Sequence, residues 1–256
     1  MRENETIIFK NKPGVLCFAS IGGKKEKEGP LGHSFDITSD DSLFGEESFE
    51  KAESKMQQLA IETALNKKNL HYSDIDCIFA GDLLNQCISS SFGLRETNMP
   101  FVGVYGACST MALTLGLASI FIDGGAAQKT ISVTSSHFCS AERQYRFPLE
   151  YGSQRTPTAQ WTVTGSGAVV LTAEPQTVYV NSVTFGTVQD LGVKDQNNMG
   201  AAMAPDDVKI RPYPIGCRRL RLCRVFGCYF RFGCVKNARN TNKYFAAFRL
   251  AKTKIT

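Results

Sequence analysis

Histidine and tryptophan are scarce in this chain: 256 residues hold three histidines (His33, His71 and His137) and one tryptophan, Trp161. No imidazole lies beyond residue 137, which excludes chemistry that needs one late in the chain. Long apolar runs are missing too. The longest, Met111–Ile122, is interrupted by Thr114, Gly116 and Ser119 and falls short of the roughly twenty residues a bilayer requires. Met1–Thr6 is polar, unlike a signal peptide. The expectation is a protein made in the cytosol, without a transmembrane segment. The nine cysteines have no regular spacing and fit reduced thiols better than a disulfide framework.

The net charge of +5 is unevenly distributed. Residues 1–205 carry 16 Lys/Arg against 22 Asp/Glu, whereas 206–256 carry 13 Lys/Arg against Asp206 and Asp207 alone. The last fifth also lacks Ser, Glu, Gln, His, Met and Trp, yet holds four cysteines and eight aromatics. Cys217, Cys223, Cys228 and Cys234 are six, five and six residues apart, so no CxxC knuckle points to zinc. A basic, aromatic segment suits nucleic acid in principle, but the tail shows neither period-2 nor 3.6-residue apolar order. The expected division is a folded unit over 1–205 and an anomalous tail over 206–256, read in a shifted frame or disordered. No nucleic-acid partner and no metal are expected.

Within 1–205 the apolar pattern alternates between strand and helix. Val15–Ile21 reads as a buried strand and Lys24–Gly29 as a charged loop. Glu46–Leu70 reads as a helix whose inner face is Phe49, Ala52, Met56, Leu59, Ala60 and Thr63. Asp76–Ala80, Phe101–Tyr105 and Thr130–Thr134 read as strands, Leu84–Gly93 and Met111–Ile122 as helices. Ala168–Thr172 and Val178–Val188 read as a β-hairpin. This order predicts an α/β fold: a mainly parallel sheet with helices on both faces.

Ligands of such sheets bind beyond the carboxyl ends of the strands. Asp82, Cys108 and His137 each follow a predicted strand. Singly, each has a structural reading: a helix cap, a buried thiol, a turn that satisfies local backbone. Together they fall on one rim. Cys108 also opens an apolar helix, where unpaired amides and the macrodipole favour either a thiolate or a bound carboxylate.

Four segments carry a resemblance: Gly81-Asp82-Leu-Leu-Asn-Gln86, Gly103-Val-Tyr-Gly-Ala-Cys-Ser-Thr-Met111, Phe147-Pro-Leu-Glu-Tyr-Gly152 and Pro157-Thr-Ala-Gln-Trp-Thr-Val-Thr-Gly165. They resemble the stage V sporulation protein AD family, which has a thiolase-like fold. The resemblance runs from about Val15 to Pro205 and stops at Asp206, so it implies the N-terminal half of that fold with the second half missing. An apolar face left exposed by that loss implies poor solubility.

The resemblance further implies a non-catalytic protein that binds dipicolinic acid, alone or with calcium, during its uptake into the developing spore. It implies a homodimer that is peripheral to the spore inner membrane and meets membrane subunits of the same transport assembly. It places Asp82 and Cys108 in the ligand site, and His137 joins them by its position on the rim. Dipicolinate is a planar dianion, so helix-opening amides could take one carboxylate and Arg143 or Arg146 the other. Asp82 suits that ligand only by orienting His137, by meeting calcium or by being protonated. The competing reading is a thiolase- or ketoacyl synthase-like acyltransferase with Cys108 as nucleophile. Such enzymes draw base and oxyanion donors from the half that is missing here, so no catalysis and no cofactor are expected.

Overall fold

The computed structural model describes residues 2–3, 6–145, 162–185, 222–225 and 228–234. The central strands are β3 (Gly14–Gly22), β5 (Cys77–Gly81), β6 (Phe101–Gly103), β7 (Lys129–Ser136), β8 (Gly165–Thr172) and β9 (Val178–Phe185). β1 (Arg2–Glu3), β2 (Thr6–Ile8) and β4 (Ile37–Thr38) are short additions. In the tail, β10 (Leu222–Val225) pairs with β11 (Cys228–Cys234), and β11 runs antiparallel to β9. The helices are α1 (Lys24–Glu28), α2 (Phe49–Asn66), α3 (Ile88–Leu94), α4 (Thr110–Asp123) and α5 (Phe138–Tyr145).

The strands form one sheet in the order β1-β2-β9-β3-β8-β7-β5-β6. β5 lies parallel to both β6 and β7, and β8 joins β7 antiparallel. The expected hairpin is replaced by a wider arrangement, because β3 runs between β8 and β9 and pairs with both. Two strands adjacent in sequence can be parted in this way because a third of equal apolar character competes for the same edge.

Alternate residues of the sheet feed two cores, as the period of a strand requires. Cys77, Phe79, Val169 and Leu171 meet Ala112, Leu115, Ala118 and Ile122 of α4. Ile78, Ala80, Ala168 and Val170 meet Met56, Ala60 and Ile61 of α2 on the other face. Each fully buried Ile or Leu here contributes about 2 kcal/mol through removal from water.

Several elements differ from expectation: the helix expected over Leu84–Gly93 runs over Ile88–Leu94 after a 3-10 turn at Asn85–Cys87, and the strand expected over Phe101–Tyr105 ends at Gly103. Lys24–Glu28 forms a short helix, pinned where Glu26 accepts from the Thr164 amide at 3.1 Å. α2 begins later than Glu46, because Ser48 caps it by accepting from the Lys51 amide at 3.2 Å. Its buried face is also rotated: Glu53 and Gln57 point inward with Met56 and Ala60, while Leu59 and Thr63 are only half-buried.

Candidate functional site

Because β7, β5 and β6 run side by side in one direction, their carboxyl ends share an edge. Gly81 pairs with Thr134 and Ala80 with Gly103. Asp82 therefore leaves β5, Val104 leaves β6 and His137 leaves β7 along one line. The strand-end reading of the sequence is realised at the level of the backbone.

The turn after β6 is built tightly. Val104 donates its amide to Ala80 at 2.8 Å, and a 3-10 turn over Ala107–Ser109 then feeds α4. Cys108 is the middle residue of that turn. Ser109 bonds back to the Gly106 carbonyl through both its hydroxyl (2.6 Å) and its amide (2.8 Å). The Thr110 hydroxyl accepts from the Gly106 amide at 3.1 Å and donates to the Ala107 carbonyl at 2.7 Å. Ala107 has φ +46°, a left-handed conformation that costs a residue with a Cβ.

Asp82 is 1% exposed. Its Oδ1 accepts from the Leu84 amide at 2.8 Å, and its Oδ2 accepts from the amide and the hydroxyl of Ser90 at 2.8 and 2.6 Å. Asp82 thus caps α3 from outside the helix, a task that Cys87, with φ +50°, does not perform. Both oxygens of Asp82 face the start of α3.

His137 is fully buried. Its Nε2 lies 2.8 Å from the Ser42 carbonyl, which can only accept, while Nδ1 accepts from the Cys139 amide at 3.2 Å. These partners assign the proton to Nε2. The ring packs against Phe49 and Phe138, with centroids 5.0 and 5.1 Å away. His137 thus ties the loop around Ser42 to the end of β7. Arg143 lies in α5, and Arg146 lies outside the described residues.

Behind this edge runs a buried polar network. Gln57 and Glu53, one helical turn apart on α2, are both 0% exposed. The Gln57 amide nitrogen lies 2.9 Å from Ser90 Oγ, 2.8 Å from Ser135 Oγ and 3.3 Å from the Gly81 carbonyl. The Gly81 carbonyl can only accept, which settles which end of the amide faces it. Ser90 donates to Asp82, while Ser135 donates to Glu53 Oε1 at 3.0 Å. Ser140 lies 2.6 Å from Glu53 Oε2. Burial pushes the Glu53 carboxyl up to about 8, and the charge of Asp82 adds to the rise against the opposing bonds from Ser140 and Ser135. At neutral pH Glu53 therefore carries its proton. Among the described residues, no group of three or more His, Cys, Asp or Glu side chains could hold a metal ion, and no helix is long and apolar enough to cross a membrane.

The sequence pattern that matches this chain, that of Stage V sporulation protein AD (SpoVAD), extends over residues 3–211. The chain belongs to the SpoVAD family. It is 45% identical over 201 residues to Stage V sporulation protein AD of Bacillus subtilis (strain 168), covering 78% of this chain and 60% of that relative. It thus spans less than two thirds of the relative's length. Among solved structures, a variant of OleA from Xanthomonas campestris bound with cerulenin matches with TM-score 0.53 at 13% identity, covering 78% of this chain and 70% of that one. A second OleA variant matches with TM-score 0.51 over the same shares. At such identity the likeness shows the thiolase-like fold alone.

For a SpoVAD-family chain, the rim was legible in the sequence and its supports were not. Glu53 and Gln57 are not among the residues that the apolar pattern assigns to the inner face of α2. Their spacing of four, in register with Met56 and Ala60, was the signal available. Both sit on the stripe that faces the sheet.

Proposed function

We propose that this chain acts in endospore formation by binding dipicolinate, alone or with calcium, at the rim formed by the ends of β5, β6 and β7, without catalysing a reaction on it. The match to the SpoVAD family across 3–211, which includes the Cys108 turn, carries this reading. The turn offers the start of α4 to one carboxylate, in keeping with anion binding at helix N-termini. Arg143 and Arg146 are the proposed partners of the second carboxylate. Asp82 and His137 serve from behind, one by capping α3 and the other by holding the Ser42 loop.

In the same reading the protein is peripheral to the spore inner membrane and works with membrane subunits of a transport assembly. A second copy of the chain is the proposed neighbour at β6, which ends the sheet order and contacts α3, where Ile88 and Phe92 are exposed. Calorimetric titration with dipicolinate tests the function. Saturable heat that falls when Arg143 and Arg146 are replaced by Ala supports it, and absence of heat sinks it. Recovery of a stable thioester on Cys108 after incubation with an acyl-CoA would favour the acyltransferase reading instead.

A further inference from the structure

One side chain of α2, Gln57, reaches three elements of the rim at once. The two amide hydrogens of Gln57 are shared among three acceptors: hydroxyls on α3 (Ser90, 2.9 Å) and β7 (Ser135, 2.8 Å) and, at a longer 3.3 Å, the carbonyl of Gly81 at the end of β5. Gly81 in turn lies directly under the turn that follows β6. A Cβ on Gly81 would run into the Val104 carbonyl oxygen and come within 2.5 Å of Thr110 Cγ2. Thr110 is the residue whose hydroxyl braces Gly106 and Ala107. A continuous path of contacts thus runs from the middle of α2, through Gln57 and Gly81, to the turn carrying Cys108.

We propose that Gln57 is the positioning residue of this rim: it fixes the end of β5 against β7 and α3 and, through Gly81, sets the geometry of the Cys108 turn. The inference rests on the reading of that rim as the ligand site. Its physical basis is the donor side of the amide, since Gln57 Oε1 is buried without a partner. Both amide hydrogens of Gln57 are directed at buried acceptors, and each hydroxyl passes its own proton to a carboxyl group, Asp82 on one side and Glu53 on the other. Removing the amide takes away the two hydrogens that these three buried acceptors share, so the strand ends relax. Asp82 supports the same path by anchoring α3, and Glu53 by holding Ser135 and Ser140.

The test uses the full chain with Gln57→Leu, which keeps the bulk and loses the amide, beside Ser135→Ala and Ser135→Thr. Amide hydrogen exchange read by mass spectrometry reports on the peptide over Val104–Met111, and calorimetry with dipicolinate reports on the ligand. Gln57→Leu is expected to speed exchange of that peptide at least tenfold, with peptides from α4 beyond Gly116 unchanged, and to weaken dipicolinate at least tenfold. Ser135→Ala should show a smaller change of the same kind, and Ser135→Thr, which retains the hydroxyl, should stay within twofold of the parent. If Gln57→Leu does not fold, Ser135→Ala carries the comparison. Parental exchange at Val104–Met111 in the folded variant would overturn the proposal, as would a uniform rise in exchange across all core peptides. If the parent chain itself fails to bind dipicolinate, the ligand reading falls, and the exchange data alone decide the role of Gln57.

Discussion

Gly81 lies so close beneath Val104 that no side chain fits between them: an alanine Cβ would overlap the Val104 carbonyl oxygen. The contact joins the end of β5 to the turn after β6, whose amide at Val104 is already bonded to Ala80. Gly81→Ala must therefore push one strand end away from the other, since the obstacle is backbone and not a flexible side chain. The expected loss is about 3 kcal/mol, seen as a lower urea midpoint with an unchanged slope. A midpoint equal to the parent's would show that the end of β5 can move away from Val104 at no cost.

The buried carboxyl of Glu53 makes stability depend on pH. Its value is about 8 when folded against an ordinary 4.5, so the native state holds a proton that the unfolded chain gives up across this interval. Between those values the native state binds more protons, and stability falls as pH rises. Below about pH 4.5 the group is neutral in both states and adds no slope. Above about 8 it is charged in both, and the loss is complete, on the order of a few kcal/mol. Glu53→Gln mimics the protonated form, with its amide facing Ser140. Denaturant titrations from pH 5 to 9 should show a flatter profile for Glu53→Gln than for the parent. Parallel profiles would mean that Glu53 is already charged in the fold.

Ala107 adopts a left-handed conformation next to Cys108. Replacing alanine by glycine ordinarily costs up to about 1 kcal/mol, but here it removes a steric penalty of similar size. Ala107→Gly should leave stability unchanged or raise it by about 0.5–1 kcal/mol. A thermal melt showing clear destabilisation would contradict the φ found at this position.

Ser48 is the N-cap of α2, and this helix carries Glu53 and Gln57. Ser48→Ala should cost about 1 kcal/mol by freeing the Lys51 amide. Because the cap lies more than one turn before Glu53, hydrogen exchange at Val104–Met111 should stay at the parental rate. A change there as large as that of Gln57→Leu would mean that α2 moves as a unit.

Some of this protein follows from residue order alone. Alternating apolar strands and helices fixed an α/β layering, with Cys77, Phe79 and Ile78, Ala80 sending alternate side chains to opposite faces. The parallel run of β5, β6 and β7 also made it possible to place Asp82, Cys108 and His137 at one edge, because strand direction decides where strand ends lie. What those side chains do there depended on partners far away in the chain. Asp82 turns toward Ser90, eight residues on; His137 meets Ser42, ninety-five residues back; and Ser135 joins Gln57 across seventy-eight residues. Hydropathy treats Glu53 and Gln57 as surface residues, and only the packing of α2 on the sheet turns them inward. Local pattern sets which face of an element is apolar. The burial of a polar group is decided by whether distant residues supply its hydrogen bonds, and that is a property of the folded whole.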